Sequence, residues 1–499
     1  MTSADRYEAF LGLVKEIHDL DRAEELLSWD QQTYMPPKGA EARASQLSTL
    51  TGLRHDFLTG DRMADLLAEL GDGDGLSGDA RVNLREIRRL HERERKVPKE
   101  LVKEMSRIQA LSQQAWVDAR KNADFSAFAP WLEKILDLRI RMGDAVGFEE
   151  SRYDAFLDEF EPGATASAIG GVFDALKAEL VPFVAEVIEA GRRLGREPLG
   201  LRIPVPAQEK FGIEISRALG FDFDGGRLDV SAHPFTSGNL HDVRLTTRYD
   251  EREPAMSIFG TLHEAGHGMY EQGVDPAHEG TPRGASVSLG IHESQSRLWE
   301  NMVGRSLPFW EYAYPMLQKH AAAALEGIDV AAWHREVNRV AASLIRVEAD
   351  EVTYNLHILL RFEIEKAMAE KTVFVNDLPE LWNGKVKEYL GITPPDAAAG
   401  LLQDIHWSFG LLGYFPTYAL GNLYAAQFYR TAKGAIPGLE DGYREGRFAP
   451  LLDWLRAEIH RRGKTYTAGE LVKVVTGEEL NAGYLMEYLR EKYGELYQL

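Results

Sequence analysis

From Tyr7 onward, apolar residues recur three and four positions apart. The run "YEAFLGLVKEIHDLDRAEELLSWD" has this spacing, so residues 4–70 are expected to be helical. "MPPKG" at 35–39 breaks that pattern, and "GDGDGLSGD" at 71–79 reads as a loop. Residues 80–195 continue the helical period in segments rich in Ala, Leu, Glu, Lys and Arg, such as "DALKAELVPFVAEVIEAGRRLG". The pattern then changes over 196–250. "REPLGLRIPVPAQEK", with three prolines, reads as a connector. "RLDVSAHPF" and "DVRLTTRYD" have strand-like runs of Val, Leu, Thr and Tyr, separated by "TSGNLH". "ASVSLGI" at 285–291 is the candidate third strand. Helix resumes from about 292 and dominates to the end, interrupted at "GITPPDAAAG" and "AKGAIPG".

No fixed-period repeat and no linker between independent units are evident. The expectation is a mainly α protein forming a single domain over 1–499. Residues 1–195 supply a helical N-terminal part, 196–300 a small three-stranded sheet with the helices of a candidate metal site, and 301–499 a helical C-terminal part.

Composition narrows the function. A chain of 499 residues, 44% hydrophobic, can bury a large core. Its net charge of −21 repels phosphate backbones, so no nucleic-acid partner is expected. It has no cysteine, which removes disulfides, thiolate metal sites and cysteine nucleophiles. Any metal must be held by His and carboxylates. The first residues are acidic and helical in period, and no apolar run approaches 18 residues, so neither a leader nor a membrane span is expected. A soluble cytoplasmic protein is the plain reading.

Chemistry concentrates in "TLHEAGHGMYEQG" at 261–273. On a helix, His263 and His267 at i and i+4 share one face and can present two imidazoles to one ion. Glu264 projects beside them, where a general base for an activated water is needed. Gly266 and Gly268 each cost about 1 kcal/mol in a helix relative to Ala, which points to close approach of another backbone or of substrate. A third ligand is offered by "GIHESQSRLWEN" at 290–301, as Glu293 or His292. Spacing favours Glu293, with His292 as a neighbour supporting a metal-bound histidine. The bland alternatives are an ordinary packed helix and a helix-start acid.

These residues resemble the carboxypeptidase Taq family of metallocarboxypeptidases. Six short blocks carry the resemblance in order: "HPF" (233–235), "DVRLT" (242–246), "HEAGH" (263–267), "HESQ" (292–295), "IRVEAD" (345–350) and "GLLQDIHW" (400–407). No block departs from the family pattern. The resemblance implies a helical, zincin-like body with a deep cleft, a small sheet along that cleft, and a homodimer. It also implies release of single amino acids from peptide C-termini with zinc, or cobalt in some members. His263, His267 and Glu293 become the ligands and Glu264 the base.

The remaining blocks bear on substrate. A carboxypeptidase must recognise a terminal carboxylate, which a guanidinium fork matches with two hydrogen bonds. Arg346 and Arg244 are the candidates, and the resemblance favours Arg346. If helical, Arg346 and Asp350 are i and i+4, so Asp350 is placed to orient the fork; a plain surface ion pair is the alternative. Alternation puts Asp242, Arg244 and Thr246 on one strand face, either a polar substrate wall or a solvent-facing stripe. His233, extended before Pro234, points into the cleft or closes a strand. For the negative charge that develops on the scissile carbonyl oxygen, His406 or a tyrosine suits the donor role, with Tyr418 preferred over a core reading. Rival readings are an endopeptidase or aminopeptidase with the same metal site, and a non-catalytic helical scaffold.

Overall fold

The computed structural model describes residues 2–499. Helix α1 (Ser3–Thr33) starts where Thr2 and Asp5 cap each other, the Asp5 N–H donating to Thr2 Oγ1 at 3.2 Å and the Thr2 N–H to Asp5 Oδ2 at 2.8 Å. Pro36 and Pro37 cannot continue a helix, and one 3-10 turn, Pro37–Gly39, leads into α2 (Ala40–Thr59). With the helices Asp61–Leu70 and Gly78–Lys96, these enclose a small core of their own around Phe10, Leu13, Leu58, Met63 and Leu66. The main core is separate and runs from Trp116 to Tyr497.

The proline-rich stretch is a connector only as far as Pro204. A helix spans Val205–Leu219, with Pro206 in its first turn, where a missing N–H leaves no internal bond unmade. The sheet follows: β1 (Gly226–Val230), β2 (Thr236–Ser237) and β3 (Val243–Thr247), in the order β1-β3-β2. β1 runs parallel to β3, and β2 antiparallel to it.

β3 lies against α3 (Pro254–Glu271). Ile258, Leu262, Ala265 and Met269 of α3 face the core, which turns His263, Glu264 and His267 the other way. The two glycines in that helix have the predicted close neighbours. A Cβ at Gly266 would stand 2.7 Å from the carbonyl oxygen of Gln295, and one at Gly268 2.7 Å from the ring of Phe221 and 2.8 Å from Leu245. Glycine there lets the sheet and the next helix come within reach of the α3 backbone.

Two further expectations need correction. Residues 285–291 are not a strand: the Ser288 hydroxyl caps the Ile291 N–H at 3.1 Å and begins α4 (Leu289–Arg297). "ASVSLGI" alternates because Val287 and Ile291 both reach the core, yet the Val287 N–H donates to the Tyr270 hydroxyl and to no ladder. The third strand is instead β2, two residues inside the stretch read as a separator and too short for alternation to show. The "IRVEAD" segment is likewise not helical. It is a loop with one 3-10 turn, Arg346–Glu348, before α5 (Tyr354–Ala369). Asp350 holds that loop, its carboxylate accepting from the N–H groups of Ala341, Val352 and Thr353 at 3.1, 3.0 and 3.0 Å. The C-terminal part is helical again, with α6 (Pro416–Ala435) packed on α4.

Candidate metal centre

α3 and α4 bring His263, His267 and Glu293 together, with one ligand atom from each lying within 4.8 Å of the others. Glu293 Oε2 is 3.5 Å from His263 Nε2 and 3.4 Å from His267 Nε2. Ligands about 2.0–2.1 Å from a tetrahedral ion stand roughly 3.3 Å apart, so this spacing suits a shared cation. Both imidazoles are anchored from behind. His263 Nδ1 lies 2.8 Å from Glu300 Oε2. His267 Nδ1 faces His292 Nδ1 at 2.5 Å, and His292 Nε2 meets Glu271 Oε1 at 2.8 Å. If each Nδ1 of the pair His263 and His267 carries the proton, each Nε2 offers its lone pair to the cluster. His292 is thus the neighbour behind His267, and Glu293 the third corner.

Electrostatics leave His267 neutral and Glu293 anionic, whereas His263 is drawn towards its protonated form. Burial pushes His267 down to about 3, helped by His292, so its imidazole is neutral at pH 7. Burial opposes ionisation of Glu293, yet Arg297 and His263 hold it well below the usual carboxylate range. For His263, burial lowers the pKa but the Glu293 and Glu300 carboxylates outweigh it and raise it, so a cation at Nε2 would displace a proton. The donor set, two imidazoles and one carboxylate with no thiolate, fits zinc or a similar divalent ion.

Glu264 is buried beside this cluster, and its Oε2 accepts from Thr236 Oγ1 at 2.7 Å. Burial raises its pKa, against the lowering by His263 and Thr236. Short as it is, β2 therefore reaches the centre, because its first residue holds the carboxylate. A cavity of about 580 Å³ opens over the cluster, with Tyr414 and Tyr418 of the α6 side on one wall and His18, Arg22 and Glu25 of α1 on another.

Other candidates lie elsewhere. His406 is outside the cavity lining, its Nε2 3.3 Å behind the Tyr418 hydroxyl, and burial pushes it down to about 3. Arg346 is buried behind Tyr418, its guanidinium 5.0 Å from that ring. Its partner is Asp404, at 3.0 Å from Nε and 2.8 Å from Nη2, and Nη1 donates to the Tyr354 hydroxyl at 3.0 Å. Asp350 does not orient it, because the loop turns that carboxylate onto backbone N–H groups. His233 is exposed, and neither it nor Arg244 lines the cavity. Arg244 pairs with Asp242 at 2.8 Å and lies over the Trp29 ring at 4.2 Å, while Thr246 is buried in bonds to Ser231 and Phe235. The strand stripe is therefore no substrate wall over the cluster: one end packs on α1 and the other on the sheet's own loop.

Sequence reasoning missed Glu300, Arg297 and Thr236. Glu293, Arg297 and Glu300 stand at i, i+4 and i+7, a readable helix-face signal. Thr236 left no periodic trace.

α6 contributes a constraint at Gly421, where a methyl group would overlap Cβ and Cγ of Glu293. Helix propensity alone favours Ala there by about 1 kcal/mol. The steric term is expected to win: Gly421→Ala should displace the carboxylate and lower kcat/KM about 10²-fold, as ångström-scale misplacement does. Unchanged kinetics with a raised melting temperature would show that Glu293 has room to move.

A model of one protein family, described as carboxypeptidase Taq (M32) metallopeptidase, matches residues 9–493. Thermostable carboxypeptidase 1 of Thermus thermophilus is 42% identical, the match covering 100% of both chains. Carboxypeptidase 1 of Bacillus subtilis is 40% identical, over 98% of each chain. Among solved structures, the M32 carboxypeptidase of Deinococcus radiodurans R1 superposes with a TM-score of 0.96 at 41% identity, covering 99% of this chain and 100% of that one.

Proposed function

Since the chain belongs to the carboxypeptidase Taq (M32) metallopeptidase family and is a metallocarboxypeptidase, we propose that it frees single C-terminal residues from peptides with zinc held by His263, His267 and Glu293 and with Glu264 as general base. The observation that carries this reading is the cluster itself: three ligand atoms converging, both imidazoles anchored through Nδ1, and a second buried carboxylate, Glu264, at the same cavity. Zinc, or cobalt in its place, supplies Lewis-acid chemistry when bound, acidifying water towards a pKa of about 7 and polarising a carbonyl.

The chain's own groups do the rest. Glu264 takes the proton of the attacking water and passes it to the leaving amine. The Thr236 hydroxyl fixes Oε2, which leaves Oε1 for that transfer. Tyr418, facing the cavity, donates its O–H to the oxygen on which negative charge develops, and His406 positions Tyr418 from behind. Arg346, held by Asp404 and Tyr354 behind Tyr418, draws the departing terminal carboxylate by its charge from behind the cavity wall. Asp404 neutralises only one of its two guanidinium partners, Arg346 and Arg361, so the cluster keeps a surplus positive charge that a substrate carboxylate balances. Full-length relatives named carboxypeptidases argue against the endopeptidase, aminopeptidase and scaffold readings. The same proposal extends to a cytoplasmic homodimer acting on free peptides, with the whole chain as one domain. No helix among the described residues is long and apolar enough to cross a membrane.

Elemental analysis of purified protein is expected to find one zinc per chain. An N-acetylated peptide should lose residues singly from its free C-terminus, and its C-terminal amide should resist. Equal cleavage of the amide, or internal cuts, would defeat the exopeptidase reading.

A further inference from the structure

Arg297 ends α4 one turn after Glu293, and its guanidinium lies between two carboxylates, the side chain 12% exposed. Nε donates to Glu293 Oε1 at 2.7 Å and Nη1 to Glu300 Oε2 at 3.0 Å. The same Glu300 oxygen meets His263 Nδ1 at 2.8 Å. The other oxygen of Glu293, Oε2, is the one that faces both imidazoles. The Arg297 guanidinium also lies over the Tyr354 ring at 4.3 Å, which limits its tilt. Glu300 itself sits in a π-helical turn, Leu298–Val303, that continues α4, and Arg305 approaches its second oxygen at 3.6 Å.

We infer that Arg297 is the positioning residue of the metal centre, holding Glu293 by its far oxygen and the His263 ring through Glu300. This rests on the ligand assignment above. A carboxylate offers two oxygens to a metal, and an unrestrained one can present both. With Oε1 held by the charged fork of Arg297, Oε2, which also accepts from the Ser296 hydroxyl at 3.1 Å, is the oxygen turned to the imidazoles, and coordination through one oxygen would keep a place for water and substrate. The same guanidinium fixes the acceptor that sets the His263 tautomer. One side chain thus links a ligand on α4 to a ligand on α3. Lysine cannot replace it, because a single ammonium on a flexible stem lacks the planar fork that spans both carboxylates.

The test measures metal affinity and coordination. Zinc affinity of Arg297→Lys is read by competition with a chelator, and coordination by the visible absorption of the cobalt-loaded protein. Zinc is expected to bind about 10- to 100-fold more weakly, the usual cost of losing a partner that orients a ligand. The cobalt bands should weaken as the second Glu293 oxygen joins the ion. Glu300→Gln asks the same question with less disturbance to folding: it keeps size and removes the charge that holds Arg297 and His263, and a tenfold loss of zinc affinity is expected. Wild-type protein that takes up one zinc, alongside variants that bind it as tightly with unchanged cobalt bands, overturns the clamp alone. No uptake by the wild type overturns the ligand assignment and the clamp with it.

Discussion

Glu264→Gln is expected to purify with wild-type zinc content and to hydrolyse peptides about 10³- to 10⁴-fold more slowly, the contribution of a well-placed general base. Glutamine keeps the size of the side chain and can still accept the Thr236 hydroxyl through its amide oxygen, so β2 and α3 stay as they are. An amide does not take up a proton near neutral pH. Burial holds the native carboxyl above its ordinary range, closer to the pH at which it both accepts and returns a proton. The decisive pair of measurements is metal content and kcat on the same preparation. Loss of rate with loss of metal would place Glu264 in the ligand scaffold, and full rate with metal bound would remove it from the mechanism.

Arg346→Met is expected to lower kcat/KM on free-carboxylate peptides about 10²-fold, corresponding to ~3 kcal/mol of attraction between a guanidinium and a carboxylate several ångströms apart in a poorly solvated site. The loss should fall mainly on KM, and the preference for a free terminus over an amide should shrink with it. The substitution is tolerable for the fold because Asp404 keeps its bonds to Arg361, at 2.8 Å from Nε and 2.5 Å from Nη2. Methionine also fills most of the space of the arginine stem. Asp404 would then stand in a neutral pair with Arg361, without surplus charge for a substrate anion. Retained discrimination against amidated peptides in a folded, zinc-loaded variant would move the carboxylate-binding role away from Arg346.

What could be read along the chain was what repeats or clusters locally. The helices of 3–59, the strands at 226–230 and 243–247, and the His263–Glu264–His267 face each declare themselves within a few residues. Partners brought in from a distance do not. Asp404 displaced Asp350 as the companion of Arg346 because residues 339–353 give up the helix to satisfy backbone N–H groups around Asp350, a choice that periodicity cannot register. Thr236 reaches Glu264 from a strand of two residues. The wall formed by His18, Arg22 and Glu25 lies more than 200 residues upstream of the ligands, and its amphipathic run looks like any other helix. Arg297 and Glu300 were the recoverable omission, since their spacing from Glu293 follows one helix face.

The hold of α1 on the cleft has a consequence for how the molecule is made. Glu25 accepts the N–H of Gly238 at 3.0 Å, across 213 residues of chain. During translation the first helices emerge with a small hydrophobic core they can close among themselves, while the sheet they will eventually touch is still unsynthesised. A nascent chain is therefore expected to complete its peptide-handling groove late, once 213 residues of chain have been brought together, after the N-terminal helices have begun to close on their own core.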